Sequence, residues 1–391
     1  MKSKMQVTGL MDPYDDGHVT EACGLMGIMD TTGRTHSGKD MITGMANMRC
    51  RSNGMGGGFA AYGIYPDFVE NHCFHVMYLD GGKGRKEAED YLRRNFKVVY
   101  EDEIRTRYNK NVGTGSPLLM RYFLDVGDHN KDRIPDDDYV VKRVMDMNVN
   151  LEDAFVFSSG KDMGVFKGIG YPEDLGDFFR LEDYQAYMWV GHGRFPTNTQ
   201  AWWGGAHPFS ILDWTVVHNG ELSSYDINRR QLEMYGYFCT MRTDTEVLAY
   251  TTDLLMRRTG LPIEVMADII AAPLWDRIDQ MPEKDRRYHE FLRMTYGPLL
   301  MNGPFTIIIG HNGEMIGLGD RLRLRPLTAA TKGEMVYVAS EEAPIRLIQP
   351  DLDKAWIPRG GEPVVGRLTK DGRAKIGLPQ EKEVATRCRS R

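Results

Sequence analysis

The chain has 391 residues, with 49 Lys+Arg against 55 Asp+Glu and a formal net charge of −6. With 41% hydrophobic and 27% charged residues, its composition is that of a globular protein, not a disordered or fibrous one. Mild acidity offers no basic footprint for nucleic acid or an anionic membrane surface. No run reaches the ~18 apolar residues of a membrane span; the most apolar stretch, Leu299 to Ile309, is broken by Asn302, Gly303 and Pro304.

Residues 1–22 carry Lys2, Lys4, Asp12, Asp15, Asp16 and Glu21, together with Gly9, Pro13 and Gly17. They read as a leader without a core of its own. Lacking an apolar h-region, they are not a secretory signal, and a cytoplasmic location is expected. From Cys23 the pattern changes. CGLMGIM is a short apolar run closed by Asp30 and Gly33, which predicts a buried strand. A short helix is expected at 39–49. The run SNGMGGGFAAYGIY then gives a glycine-rich turn and a second strand. GMGGG lacks the strand–GxGxxG–helix context of a phosphate loop, so it reads as a tight turn with close backbone packing. Strands are predicted at 72–79 and 97–104, with a helix at 83–95 between them.

Residues 105–150 are strongly charged and read as an insertion. Strand signals return at 154–159, 186–192 and 211–218. Helices follow around 226–236 and 244–258, then a helical stretch at 263–296 broken by Pro273 and Pro282. Strands are expected at 305–310, 314–319 and 335–340, and a loose or docking tail from about 370. Strands and helices come in blocks, which predicts antiparallel sheets covered by helices, an α+β layered fold. The five cysteines, at 23, 50, 73, 239 and 388, form no CxxC pair. That argues against a disulfide framework and a structural zinc site.

Four segments carry candidate chemistry, and each has an ordinary reading. Cys23 could be a plain buried strand residue. GHGRFPTN at 191–198 could be loop punctuation. Asn219-Gly220 is a hairpin-turn signal. Thr243 to Glu246 matches a capping box, with Asp244 favoured by the helix dipole. Taken together they are more specific. A thiol is a nucleophile, and an Arg at a strand exit can clamp a carboxylate. An Asp at a helix start can receive an ammonium. An Asn side chain and a bare Gly N–H can hold an oxyanion. This set suits amide cleavage of a free amino acid, glutamine being the obvious one.

Cys-Gly after a short leader, GHGRFPT, HNGE and TDTE, in that order, resemble the class II glutamine amidotransferase domains, which are N-terminal-nucleophile hydrolases. The sequence is most similar to the glutamate-synthase branch, especially the separately encoded archaeal-type amidotransferase subunit; RSNGMGGGFAAYGIYP, LRLRPL and ASEEA also look like that group. The resemblance runs from Cys23 to about Leu347. It implies a four-layer αββα sandwich with insertions: leader 1–22, amidotransferase domain 23–350 with the charged insertion at about 105–150, and a C-terminal extension 351–391. It implies Cys23 as nucleophile, exposed as a new N-terminus when the leader is removed. Arg194 and Thr197 would hold the α-carboxylate end of glutamine. Asn219 and Gly220 would form the oxyanion hole, Asp244 would accept the α-ammonium, and Arg51 matches an Arg-Gly element beside the nucleophile. Here Ser52 stands where that element has Gly.

No flavin barrel, nucleotide loop or iron–sulfur cysteine set is found, so no cofactor is expected on this chain. The resemblance implies FMN and iron–sulfur partner subunits of a glutamate-synthase-like complex, with 2-oxoglutarate as ammonia acceptor. An N-methylglutamate synthase complex is the alternative. Two others remain: a leader-retaining, non-catalytic binding or assembly subunit, and an N-terminal-Cys hydrolase of another amide. Two weaker signals read as structural. Asp128-x-Asn130-x-Asp132 opens like a calcium loop but has Arg133 and Tyr139 where Gly and an acid belong. Strand alternation puts His72 on the face opposite Cys73 and His75.

Overall fold

A computed structural model describes residues 23–79, 81–112, 115–194, 201–241 and 243–376. The first apolar run forms β1 (Gly24–Asp30), followed by α1 (Lys39–Asn47) and β2 (Gly57–Tyr62). Next come β3 (His72–Tyr78), α2 (Arg85–Asn95), β4 (Lys97–Glu103), β5 (Leu118–Asp125), α3 (Asp136–Asn150) and β6 (Ala154–Ser158). Then follow β7 (Met163–Gly168), α4 (Pro172–Phe178), β8 (Met188–Gly193), β9 (Phe209–Ile211) and β10 (Trp214–Gly220). The helical block is α5 (Tyr225–Glu233), α6 (Asp244–Thr252), α7 (Ile263–Ile270), α8 (Trp275–Asp279) and α9 (Glu283–Tyr296). The last part holds β11 (Phe305–His311), β12 (Glu314–Gly319), β13 (Thr328–Lys332), β14 (Met335–Ala339), α10 (Glu342–Ile348), β15 (Lys354–Trp356), β16 (Val364–Arg367) and α11 (Lys370–Lys375).

Two antiparallel sheets stack at the centre. One has seven strands in the order β15-β13-β14-β1-β8-β2-β7; the other has five, β9-β10-β11-β12-β16. Between them Leu25, Val217, Ile308 and Met315 share one apolar core. Gly27 makes the close approach possible: a Cβ there would lie 2.6 Å from Met315 Sδ and 3.3 Å from Ile308. Helices α1, α4 and α10 cover the outer face of the seven-stranded sheet, where Gly191 leaves room for Met41 and Met45. On the other side, Val216, Ile307 and Ile309 pack with Val247, Leu248 and Leu255 of the α6 region and Ile263 and Met266 of α7. The expected α+β αββα layering is therefore the observed one. A third sheet, β4-β5-β3-β6, packs with α2 and α3 through Phe74, Tyr78, Leu92, Phe96 and Val144.

Several elements differ from the expectation. The single strand predicted at 211–218 is a hairpin, β9 and β10, turning at Leu212 with φ 51°. The charged stretch 105–150 contains β5, which lies between β4 and β3, and α3, whose Tyr139, Val140 and Val144 are buried. β7 and β13 were not legible as strands. Past 350 the chain adds β15 to the larger sheet and β16 to the smaller. Residues 370–375, expected to be loose, form α11, tied to β1's end by Thr369 N–H donating to Thr31 O. Helix 244–258 is α-helical only to Thr252 and continues as a π-helical turn, Asp253–Arg258. No helix among the described residues is long and apolar enough to cross a membrane.

Candidate active site

The described residues of the four segments singled out in the sequence meet at one end of the stacked sheets. Cys23 is partly exposed and immediately precedes β1. In the ladder Gly24 lies opposite Gly193, so Cys23 and Arg194 leave their strands side by side. Leu25 and Gly27 face the second sheet, and the period-two alternation of a strand starts that row at Cys23. Ser340 locks the start of β1: its Oγ accepts from Leu25 N at 3.0 Å and its N–H donates to Leu25 O at 2.9 Å.

Arg51 and Ser52 follow α1. Arg51 Nε donates to Cys23 O at 3.3 Å, and its guanidinium pairs with Glu341. Ser340 and Glu341 both belong to the ASEEA segment, so the sequence carried their signal without assigning a role. Ser52 is extended, φ −126° and ψ 153°, a conformation any residue adopts. Its hydroxyl donates to Arg194 O at 3.1 Å and accepts from Gly54 N at 3.3 Å. Serine is thus accommodated without strain and adds a bond to the strand exit. Behind it, Gly54 and Gly56 take positive φ, while Gly57 and Gly58 already belong to β2, where the close backbone packing expected is seen: a Cβ on Gly58 would fall 2.4 Å from His207 O.

Arg194 is 4% exposed. Burial pulls its pKa down from the usual value, while the charges of Cys23 and Asp244 push it back up. A guanidinium stays cationic under such pressure, so Arg194 places a fixed positive charge between the thiol and a carboxylate. Thr197, expected to help hold the same ligand end, lies outside the described residues.

Asn219 and Gly220 end β10 rather than forming a hairpin turn; they lie opposite Thr306 and Phe305. Strand alternation puts Asn219 on the inter-sheet face, two residues beyond Val217. Asn219 is 1% exposed, and its Nδ2 has no hydrogen-bond partner among the described residues. A buried amide donor left unpaired is uncommon and costs about 1–3 kcal/mol. Gly220 has φ 152°, and a Cβ there would lie 2.0 Å from Pro304 O, so only glycine fits. Phe305 turns its N–H to Asp320 Oδ2 and accepts from Asp320 N; the Gly220 N–H is therefore not consumed by the strand partner opposite it.

Asp244 opens α6. Thr243 caps the helix, but its Oγ1 accepts from Thr245 N at 3.4 Å. Glu246 does not close the expected capping box; it accepts from Thr240 N at 3.1 Å and Met241 N at 2.9 Å. Asp244 Oδ2 accepts from Leu222 N at 3.0 Å, and Oδ1 lies 3.4 Å from His218 Nδ1. Burial would raise the pKa of Asp244, but His218 and the Leu222 and Thr245 N–H groups outweigh it and the net shift is downward. The site therefore presents a carboxylate at neutral pH.

Three histidines link these pieces, and sequence reasoning gave none of them a role. His192 Nε2 is 3.1 Å from His218 O, and His207 Nδ1 is 2.8 Å from His192 Nε2. Burial drives the His192 pKa to about 3, so His192 is a neutral hydrogen-bonding spacer between Arg194's strand and Asn219's strand. The presence of His192 in GHGR and of His218 in HNGE was the available signal; His207 lies in neither motif. Cys73 and His75, by contrast, point together into a separate pocket with Tyr65, whose hydroxyl is 3.0 Å from His75 Nε2.

The assembled chemistry is a thiol, a fixed cation, a carboxylate and an unfilled buried donor beside a bare glycine. A protein of Archaeoglobus fulgidus with no described activity is 55% identical over 353 residues, covering 89% of this chain and 93% of that one. A provisionally named glutamine amidotransferase of Methanothermobacter thermautotrophicus is 26% identical over 348 residues, covering 86% and 97%. Among solved structures, the glutamine phosphoribosylpyrophosphate amidotransferase of Bacillus subtilis aligns at 16% identity and a TM-score of 0.44, over 88% of this chain and 47% of that one. The profile of the class II glutamine amidotransferases matches residues 98–354, a span that holds Arg194, Asn219, Gly220 and Asp244 and leaves Cys23 and Arg51 outside. With more than half of its length matched, the chain belongs to the class II glutamine amidotransferase family.

Proposed function

We propose that the chain hydrolyses glutamine to glutamate and ammonia through a Cys23 thioester, and delivers the ammonia to a glutamate-synthase-like complex. The observation that carries the hydrolytic reading is the buried Nδ2 of Asn219, without a hydrogen-bond partner among the described residues, beside Gly220 and on the face shared with the thiol. A donor held ready for charge that appears only during reaction is the signature of an oxyanion site.

In this reading residues 1–22 are removed, and the α-amino group of Cys23 accepts the thiol proton. Such an amine has a pKa of ~7.7–8.0, so enough is neutral near pH 7 to act as base. The sulfur attacks the side-chain carbonyl; its oxygen becomes negative facing Asn219 and Gly220. The ammonium returns the proton to the departing ammonia, and water then releases glutamate from the thioester. Arg194 and Thr197 hold the α-carboxylate and Asp244 the α-ammonium. Arg51, bonded to Cys23 O, fixes the residue that must pivot between amine and thiol.

The acceptor of the ammonia is assigned by resemblance: flavin and iron–sulfur synthase subunits, with 2-oxoglutarate or, in an N-methylglutamate synthase, methylamine chemistry. Glutaminase assay of the purified protein against Cys23→Ala tests the hydrolysis. Ammonia release by the wild type and none by the variant is expected; equal release by both rejects the thioester. Identification of co-purifying chains tests the complex, and a protein isolated without flavin or iron–sulfur partners counts against it.

A further inference from the structure

Behind Arg194 lies a charged side chain that the proposed chemistry does not use. Lys167, on β7 opposite Gly58, is 1% exposed. Its Nζ donates to Gly204 O at 2.9 Å and stands 4.3 Å from the centroid of the Phe209 ring. A buried ammonium is costly unless it is bonded, and here its bond reaches the middle of the segment that walls Arg194.

That segment, residues 201–208, is held at three points. Trp203 covers Gly168, where a Cβ would be 2.5 Å from the indole; His207 bonds His192; and Lys167 takes Gly204 O. Gly205, the next residue, passes so near that a Cβ would lie 3.4 Å from Arg194 Nη1. Moving Gly204 therefore moves the surface against which the guanidinium is set. The charged groups facing Lys167 are Glu246 on α6, which favours the ammonium, and Arg194, which opposes it; Lys167 in turn acts on His207.

We propose that Lys167 is a positioning residue for the amino-acid end of the site: by holding the Gly204 carbonyl it fixes the wall over Arg194 and so sets affinity for the α-carboxylate of the substrate. The proposal rests on Arg194 being the carboxylate clamp. It says nothing about the thiol chemistry, which lies at the other end of the ligand.

The test compares K167M, K167Q and R194A, each as the full processed protein, on glutamine and on the glutamine analogue whose α-carboxylate is an amide. K167M is expected to raise KM for glutamine about fivefold or more with kcat changed less than about twofold. Its rate on the amide, which has no carboxylate to clamp, should stay near the wild-type value. K167Q keeps an N–H donor and is expected to fall between wild type and K167M. Equal losses on both substrates would reduce Lys167 to a structural residue, and an unchanged KM in both lysine variants would overturn the proposal. An unchanged KM in R194A would instead remove the clamp reading itself. If K167M does not fold, K167Q alone decides by the same KM comparison.

Discussion

Asn219 offers a side-chain amide whose nitrogen has no hydrogen-bond partner among the described residues at 1% exposure, so its removal should cost the reaction more than the fold. Asn219→Ala is expected to lower kcat on the order of 10²–10³-fold while the protein still melts cooperatively; a kcat within about twofold of wild type would take Asn219 out of the oxyanion site. Arg194→Ala should act on binding, with KM for glutamine raised about 10–100-fold, the range for losing a charge-assisted bond. Both residues were legible because their chemistry needs particular side chains in a fixed order. His192, His207 and His218 were not, because the role of a buried imidazole is defined by what surrounds it, and that surrounding is assembled from distant segments. Ser52 shows the reverse: the sequence marked a departure from the family's glycine, and an extended backbone with two hydroxyl bonds accommodates the serine without strain.

At the level of elements, the site exists because β1 begins where β8 and β10 end. Ile308 of β11 lies between the sheets, fully buried, and supports that alignment. Ile308→Ala is expected to destabilise the fold by about 2–5 kcal/mol, measured by denaturant unfolding; a change below about 1 kcal/mol would mean the interface repacks freely. The strands that were readable, β1, β10, β11 and β12, are dense in large apolar residues. Among those missed, β7 (MGVFKG) and β13 (TAATK) are rich in Gly, Ala, Thr and Lys, which have little hydrophobic pattern of their own and are set by their neighbours, whereas β5 (LLMRYFLD) is apolar but was hidden by the charged residues on either side of it. The β9–β10 hairpin was hidden because its two-residue turn, Leu212-Asp213, has none of the usual Gly or Asn. Helix α3 was masked by charge: Asp136, Asp137 and Asp138 crowd its first turn, where the helix dipole favours acids, while its inner face is apolar.

Over the whole molecule, burial has moved two groups behind the site toward neutrality: Lys167 down to about 7 and Glu246 up to about 7. The sign for Lys167 follows from linkage. Between pH 7 and its ordinary 10.5, the unfolded chain binds the proton more tightly than the folded one, so wild-type stability should rise with pH relative to K167M. Unfolding free energies of both proteins at pH 7 and pH 9 check this; a pH-independent difference would contradict a desolvated ammonium. A groove of about 690 Å³ is lined by α3 residues such as Val141 and Met145 with Tyr235 and Phe238; it contains none of the site residues and does not mark the chemistry. The central claim is that Cys23 reacts as a free N-terminal residue. Intact-mass spectrometry of a glutaminase-active preparation, before and after labelling with a thiol-reactive glutamine analogue, tests it most directly. The account predicts a protein beginning at Cys23 with a single label on that residue; full activity from chains that still carry the preceding 22 residues would contradict it.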